Sequence, residues 1–324
     1  MEAQAYAMDP KKDRPIEGED PFEGLKIGNW MILDEVNERQ PCLKCKKSRK
    51  YFCYNCYIPV QDLQRHVPKV KLPIKIDIIK HSREIDGKST AAHAAVLSSD
   101  VNIYTYPCIP DYGLDEKVVL VFPGKNAVSV GNLFSSQWET QADSPEPKPK
   151  RLNVGAKLPV TKAIFIDSTW NQSRGIYKDQ RLRDLPCVVL QSRISQFWRH
   201  QNGSPRWYLA TVEAIHQFLV ELHTAAWERK VKLPEMPKSD DLVTEDTRDT
   251  ETKKETDVGY GASTDVNNPE CANNEQNKIT DMSECFGPYD GEYDNLLFFF
   301  RYMYSKIHKL YDHEDLRAYK RPLK

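Results

Sequence analysis

Apolar positions in this chain come in short blocks of two different periods. Residues 71–79 alternate apolar and polar side chains as a strand does, with Ile74, Ile76 and Ile78 on one face. Residues 86–97 read as a short alanine-rich helix entered through Gly87 and Ser89. Uninterrupted apolar runs at 118–122, 163–166 and 187–190 have the length of buried strands. Residues 211–228 carry the clearest helical period, with Val212, Ile215, Leu219, Leu222 and Ala226 spaced by threes and fours into one stripe. An aromatic-rich segment at 296–311 predicts a last helix that docks back on the domain. Strands alternating with helices through 71–230 predict an α/β domain with a mostly parallel sheet.

Between these blocks the pattern lapses. Residues 1–24 are polar and proline-rich, 135–158 read as a flexible loop, and 235–285 lack both periodicity and apolar density, so disorder is expected in all three. The formal net charge of −1 conceals an uneven distribution: residues 235–284 hold fourteen acids against five bases, which leaves the remainder at +8. A basic body with an acidic insertion suits a partner that carries phosphates. No apolar stretch approaches the roughly 20 residues that span a bilayer, and the amino terminus lacks an apolar signal core, so a soluble intracellular protein is expected.

In such a compartment the eight cysteines are not expected to form disulfides. Cys42-Leu43-Lys44-Cys45 and Cys53-Tyr54-Asn55-Cys56 form two CxxC units whose spacing lets four thiolates converge on one Zn²⁺. The segment is too short and polar to fold around its own core, so metal binding would supply its folding energy. Cys108 and Cys187 read as buried or structural, and Cys271 and Cys285 as linker thiols. Basic residues from Lys44, Arg49 and Lys50 on to Lys80 and Arg83 interleave with Tyr51, Phe52, Tyr54 and Tyr57. That mixture can grip phosphates and stack on unpaired bases, or its aromatics can pack around the metal.

The most informative run is Ile164-Phe165-Ile166-Asp167-Ser168-Thr169-Trp170, where a strand ends abruptly in an acid, two hydroxyls and an indole before a polar helical segment. The carboxyl end of a buried strand is the usual ligand position in an open α/β sheet. Asp, Ser and Thr there are also preferred helix N-caps, so both roles are open.

Asp167-Ser168-Thr169-Trp170 matches a D-x-T-W signature and resembles the DTW-domain family of tRNA-uridine aminocarboxypropyltransferases. Other segments agree in order: the paired CxxC units, His81-Ser82-Arg83-Glu84 with the Lys88-Ser89-Thr90-Ala91-Ala92 that follows, and Phe122-Pro123-Gly124. Downstream lie Phe197-Trp198-Arg199-His200, Ala210-Thr211-Val212-Glu213 and the segment from Tyr293 to Phe299. The resemblance implies a SPOUT-like fold with a trefoil knot, and transfer of the 3-amino-3-carboxypropyl group of S-adenosylmethionine to N3 of a D-loop uridine in tRNA, leaving 5′-methylthioadenosine. It implies Asp167, Thr169 and Trp170 as catalytic residues, with Asp167 taking the N3 proton or balancing the sulfonium. It places the cofactor against Phe122, Pro123, Gly124, Thr211 and Glu213. For Glu213, the residues by themselves favour a simpler role in the first turn of its helix.

Two departures from the family bear on this. Ala210 stands where a serine is common, and Ser89-Thr90-Ala91-Ala92 replaces Asn-Thr-Gly-Arg, leaving Lys88 as the nearest substitute for that arginine. Trp198, Arg199 and His200 are placed at the RNA or at the pocket wall. Lys148-Pro149-Lys150-Arg151 reads as a weak nuclear signal or equally as loop charge, so the nucleus is expected, with the cytoplasm as the alternative. The expected organisation is an N-terminal tail at 1–24, a four-cysteine zinc module at 25–66, a catalytic domain at 67–234, the acidic insertion at 235–285 and a C-terminal helix with a basic tail at 286–324. A SPOUT-like RNA methyltransferase and a non-catalytic zinc-dependent RNA-binding protein are the competing functions.

Overall fold

In the computed structural model, residues 20–113, 116–135, 158–199, 207–232 and 286–311 are described. Most of the N-terminal tail, nearly all of the 135–158 loop, the acidic insertion, His200, Cys271, Cys285, the 148–151 basic run and the basic tail lie outside them.

Two two-stranded antiparallel ribbons come first, β1 (Gln40–Pro41) with β2 (Ser48–Arg49) and β3 (Phe52–Cys53) with β4 (Ile58–Pro59). Then follow β5 (Lys75–Lys80), α1 (Ala91–Leu97), β6 (Val101–Thr105), β7 (Val118–Val121), β8 (Val128–Ser129), β9 (Lys162–Asp167), α2 (Trp170–Tyr177), α3 (Gln180–Arg183), β10 (Cys187–Val189), α4 (Thr211–Lys232) and α5 (Phe298–Leu310). Strands β5 to β10 form one six-stranded sheet in the order β6-β5-β9-β7-β10-β8, with every pairing parallel. The late strand β9 lies between β5 and β7, which connect outward in opposite directions. The carboxyl ends of these three neighbours therefore flank a topological switch point, where open α/β sheets bind ligands.

Strand β5 departs from the one-sided alternation expected of it. Ile76, Ile78 and Ile79 are all 0% exposed, and the intervening Asp77 is 1% exposed. A central parallel strand is covered on both faces, so its polar residue must find partners inside. Asn102 Nδ2 donates to Asp77 Oδ1 at 3.1 Å, and Lys162 lies 3.7 Å from the other oxygen. Helix α1 starts at Ala91 rather than at residue 86, because Ser89 Oγ accepts the Ala91 N–H at 3.1 Å and Asp86 is drawn off to Lys80. Strand β6 is an addition to the expected elements. It lies at the sheet edge with two of its five residues exposed and only one buried, and so lacks the dense apolar signature of its neighbours.

The α4 stripe is buried as expected, with Val212, Ile215, Leu219 and Leu222 at 0% exposure, and the helix runs on to Lys232. Phe298, Phe299 and Phe300 at the start of α5 are also 0% exposed, each contributing about 2–3 kcal/mol of transfer free energy. This helix gathers the N-terminal segments around itself. Phe22 packs edge-on against Phe300 and Tyr304, so residues 20–24 are anchored by their one aromatic although they belong to a stretch expected to be disordered. Tyr51 and Tyr302 share a hydroxyl hydrogen bond of 2.9 Å, and Phe52 meets Phe299 at 4.6 Å and His93 at 5.6 Å. Burial in that aromatic cage pushes the His93 pKa down to about 3, which keeps it a neutral core residue.

Those contacts correct the base-stacking expectation for Tyr51 and Phe52, whose rings are committed to the core. Arg49 and Lys80 likewise leave the basic surface, being 6% and 7% exposed. Cys187 is buried as expected, but Cys108 is exposed, because it follows β6 in a surface turn. Among the described residues no helix is long and apolar enough to cross a membrane.

Candidate active site and metal centre

Asp167 closes β9, in register with Lys80 at the end of β5 and beside the turn that leaves β7. Its side chain is 6% exposed and held from two directions. Ser89 Oγ, just ahead of α1, donates to Oδ2 at 2.6 Å, and Thr211 Oγ1, the first residue of α4, donates to Oδ1 at 2.5 Å. The neighbouring Thr90 Oγ1 accepts the Val212 N–H at 3.3 Å, so the starts of α1 and α4 are tied together at the carboxylate. Burial pushes the Asp167 pKa up, against the two hydroxyls and the Lys80 ammonium, which favour the charged form. Glu84 is raised as well, first by burial and then by the Asp167 charge.

Thr169 takes the helix-capping role. It is the N-cap of α2, and Gln172 Oε1 reaches back to accept its N–H at 3.2 Å, half of a capping box. That cap fixes Trp170 at the first helical position, where its ring lies 4.1 Å from Tyr208 and 6.3 Å from Phe122. Phe122 stacks on Tyr177 at 4.4 Å, which completes a row of four aromatic rings built on the segments that follow β7 and β9. Pro123 and Gly124 form the tight turn after β7, with the Gly124 N–H donating to Phe122 O at 2.7 Å. A Cβ at Gly124 would stand 2.7 Å from Cys187 Sγ and 2.9 Å from Tyr177 Oη, so glycine is demanded here by protein packing.

Glu213 is 0% exposed, with both carboxylate oxygens taken by the protein itself. Oε2 accepts from Ser195 Oγ at 2.6 Å and from the Ala210 N–H at 2.8 Å, while Oε1 accepts the Gln196 N–H at 2.7 Å. The contact to Ala210 is the glutamate half of a capping box, and alanine cannot return the other half. Burial raises its pKa, opposed by the Ser195 hydroxyl and Arg193. Trp198 is buried against Phe300 at 5.2 Å, so it lies in the core, and Arg199 donates to the Lys88 carbonyl at 3.0 Å. Lys80, Asp86 and Tyr208 join the site without a sequence signal that marks them for it, and Ser89, although in a segment that carries the resemblance, is given no role by it. Ser89 and Tyr208 are brought in by contacts across 78 and 38 residues, which no local spacing encodes.

The four CxxC thiols lie within 4.8 Å of one another, and Cys45 Sγ is 3.6 Å from Cys53 Sγ. Four sulfurs at about 2.3 Å from a tetrahedral Zn²⁺ would be separated by about 3.8 Å, so the cluster has the size of such a site. Each unit turns back on itself: Lys46 N–H donates to Cys42 O and Tyr57 N–H to Cys53 O, with Lys46 and Tyr57 at φ of 60° and 53°. Non-glycine residues adopt that conformation at a cost, repaid when the preceding cysteines share a ligand. Burial and the neighbouring thiols push the Cys56 pKa up to about 12. Cys53 is drawn down to about 6 despite burial, by the Asn55 and Cys56 N–H groups and Arg49. A bound cation would draw all four groups into the thiolate form, and the sulfur donor set fits Zn²⁺.

The fold and the carboxylate at its switch point define an α/β protein built around a D-x-T-W corner. Residues 50–308 match the DTW domain, and the chain belongs to that family. Among its relatives is the tRNA-uridine aminocarboxypropyltransferase 1 of Mus musculus, 40% identical over 71% of this chain and 84% of the relative. Proteins of the same name from Homo sapiens and Xenopus tropicalis are 42% and 43% identical, over 67% and 65% of this chain and 80% of each relative. No solved structure matches.

Proposed function

We propose that this chain is a tRNA-uridine aminocarboxypropyltransferase that uses S-adenosylmethionine as donor and N3 of a D-loop uridine as acceptor. The observation that carries the proposal is the Asp167 carboxylate, held by hydroxyls of Ser89 and Thr211 at the switch point of a parallel sheet, with a row of aromatic rings on the segments that follow β7 and β9. A carboxylate and flat aromatic faces at the same end of a sheet are the groups that a sulfonium bearing an adenine calls for. When bound, S-adenosylmethionine supplies the electrophilic aminocarboxypropyl carbon and leaves as 5′-methylthioadenosine.

The chain's own residues do the rest. Asp167 receives the N3 proton, and its burial keeps it more basic than an ordinary carboxylate. Ser89 and Thr211 fix its direction, so the base is aimed before the uridine arrives. Trp170 and Tyr208 offer faces for the uracil or the adenine, with Thr169 setting the helix that presents the indole. The Phe122-Pro123-Gly124 turn forms the opposite wall and Thr211 closes the pocket, while Glu213 serves the cofactor indirectly by fixing the start of α4. Cys42, Cys45, Cys53 and Cys56 hold Zn²⁺ in a structural role. The insertion of β9 between β5 and β7 suits the trefoil knot that the family resemblance implies. Residues 25–66 as a metal module, 67–234 as the catalytic domain and a nuclear location resting on residues 148–151 complete the proposal.

The by-product provides the test. Full-length protein with S-adenosylmethionine and tRNA should release 5′-methylthioadenosine. S-adenosylhomocysteine would assign methyl transfer instead, and tRNA binding with neither product would reduce the chain to an RNA-binding protein.

A further inference from the structure

The four-cysteine module is wired to the loop that carries Ser89. Arg49, beside Cys53, lies with its guanidinium 3.9 Å from the Tyr54 ring centre and donates to Asn55 Oδ1 at 2.6 Å. Asn55, between the two cysteines of the second CxxC unit, donates through Nδ2 to Asp86 Oδ2 at 3.1 Å. Asp86 Oδ1 accepts from Lys80 Nζ at 2.5 Å, and Lys80 is the register partner of Asp167. The same loop leans on the module a second time at Gly87, where an added Cβ would come within 3.3 Å of the Tyr54 ring. From the other side, Arg199 holds the Lys88 carbonyl at 3.0 Å.

We propose that the second CxxC unit, through Asn55 and Asp86, positions the 81–90 loop, so that metal loading of the thiol cluster sets the order of the Ser89 to Asp167 contact. Asn55 and Asp86 are thus positioning residues for the reaction. The physical reason is leverage. A turn of ten residues with one short helix behind it has little core of its own. Its two ends are tied to β9 and α4, where the His81 N–H donates to Asp167 O at 3.0 Å and Ser89 and Thr90 meet Asp167 and Val212, and its middle is held by Asn55, Tyr54, Lys80 and Arg199. Asn55 and Tyr54 move with the metal turn, because each lies between its two cysteines. Losing the ion releases that part of the loop and leaves the β5 and β9 backbones in place. A module that served only to grip RNA would not spend Arg49 and Asn55 on an internal relay.

Amide hydrogen exchange on the full chain tests this, comparing metal-loaded, chelator-treated, Asn55→Ala and Asp86→Asn protein, with zinc content measured on each. The expected result is exchange about tenfold faster at residues 84–91 in all three perturbed forms, with β7 unchanged. In the zinc-retaining variants, kcat should fall about tenfold with KM for tRNA unchanged. Asp86→Asn lies away from the cysteines, so it decides the question if Asn55→Ala loses its metal. Wild-type exchange at 84–91 in zinc-loaded Asp86→Asn would overturn the proposal. So would an effect confined to KM for tRNA. The kinetic readout rests on the transferase reading, but the exchange readout does not, so the two can fail separately.

Discussion

Ser89 and Asp167 meet in a 2.6 Å hydrogen bond across 78 residues of sequence, with Thr211 Oγ1 on the opposite carboxylate oxygen. Both hydroxyls stabilise the charged form, so each holds the Asp167 pKa below the value that burial alone would set. Removing either one should raise it. A base with a raised pKa needs a higher pH to ionise, so the acid limb of the pH–rate profile should move upward in Ser89→Ala and Thr211→Val. The shift should be about one unit for each, which is about 1.4 kcal/mol. An unmoved limb with a reduced plateau would assign these hydroxyls to packing.

Gly124 faces Cys187 Sγ and Tyr177 Oη at distances that admit no methyl group. Gly124→Ala should cost about 1–3 kcal/mol in unfolding free energy by overpacking and push Phe122 off Tyr177. Cys187→Ala removes the sulfur that a new Cβ would strike. The double variant should therefore recover part of the loss, and the non-additivity in a urea-unfolding cycle measures the clash.

Asp294 ties three segments together. It accepts from His216 Nε2 at 2.9 Å, from Tyr289 Oη at 2.7 Å and from the Lys26 N–H at 2.8 Å. Burial opposes its ionisation, but His216, Tyr289 and the Lys26 N–H outweigh it and hold the pKa below the usual value. A depressed carboxyl gives its full stabilisation above its unfolded pKa of about 3.9 and loses it as pH falls through the folded value. Asp294→Asn should therefore cost about 2 kcal/mol at neutral pH, and the gap to wild type should narrow below about pH 4. Urea midpoints at several pH values check this, and a gap independent of pH would contradict it.

The thiol cluster predicts one zinc per chain by native mass spectrometry, lost in Cys53→Ser. Because Tyr51 and Phe52 beside the cluster pack on Tyr302 and Phe299, loss of the metal should also lower the melting temperature of the whole domain. An unchanged melting temperature with zinc absent would mean that the aromatic packing folds the module unaided.

Strong local patterns foretold much of this structure. The α4 stripe, the apolar runs of β7, β9 and β10, the CxxC pairs and the D-x-T-W corner all depend on residues close in sequence, and each lies where its pattern placed it. What the pattern could not supply was the partner of each polar group. Thr169 and Glu213 carry side chains suited to chemistry, and the fold engages both in capping, because a buried helix start leaves N–H groups that need acceptors. Arg49 and Lys80 look like surface bases in the sequence, yet their neighbours Asn55 and Asp86 draw them inside. Ser89, the nearest donor to Asp167 Oδ2, reads locally only as a helix start, since its partner is 78 residues away.

The central claim is that Asp167 acts as the base of an aminocarboxypropyl transfer. Wild type and Asp167→Asn incubated with S-adenosylmethionine and unmodified tRNA transcripts, followed by mass spectrometry of the digested nucleosides, test it most directly. The account predicts aminocarboxypropyl-uridine from wild type and formation slower by about a hundredfold or more in Asp167→Asn, with S-adenosylmethionine still bound. Equal rates in the two proteins, or a methylated nucleoside from wild type, would contradict it.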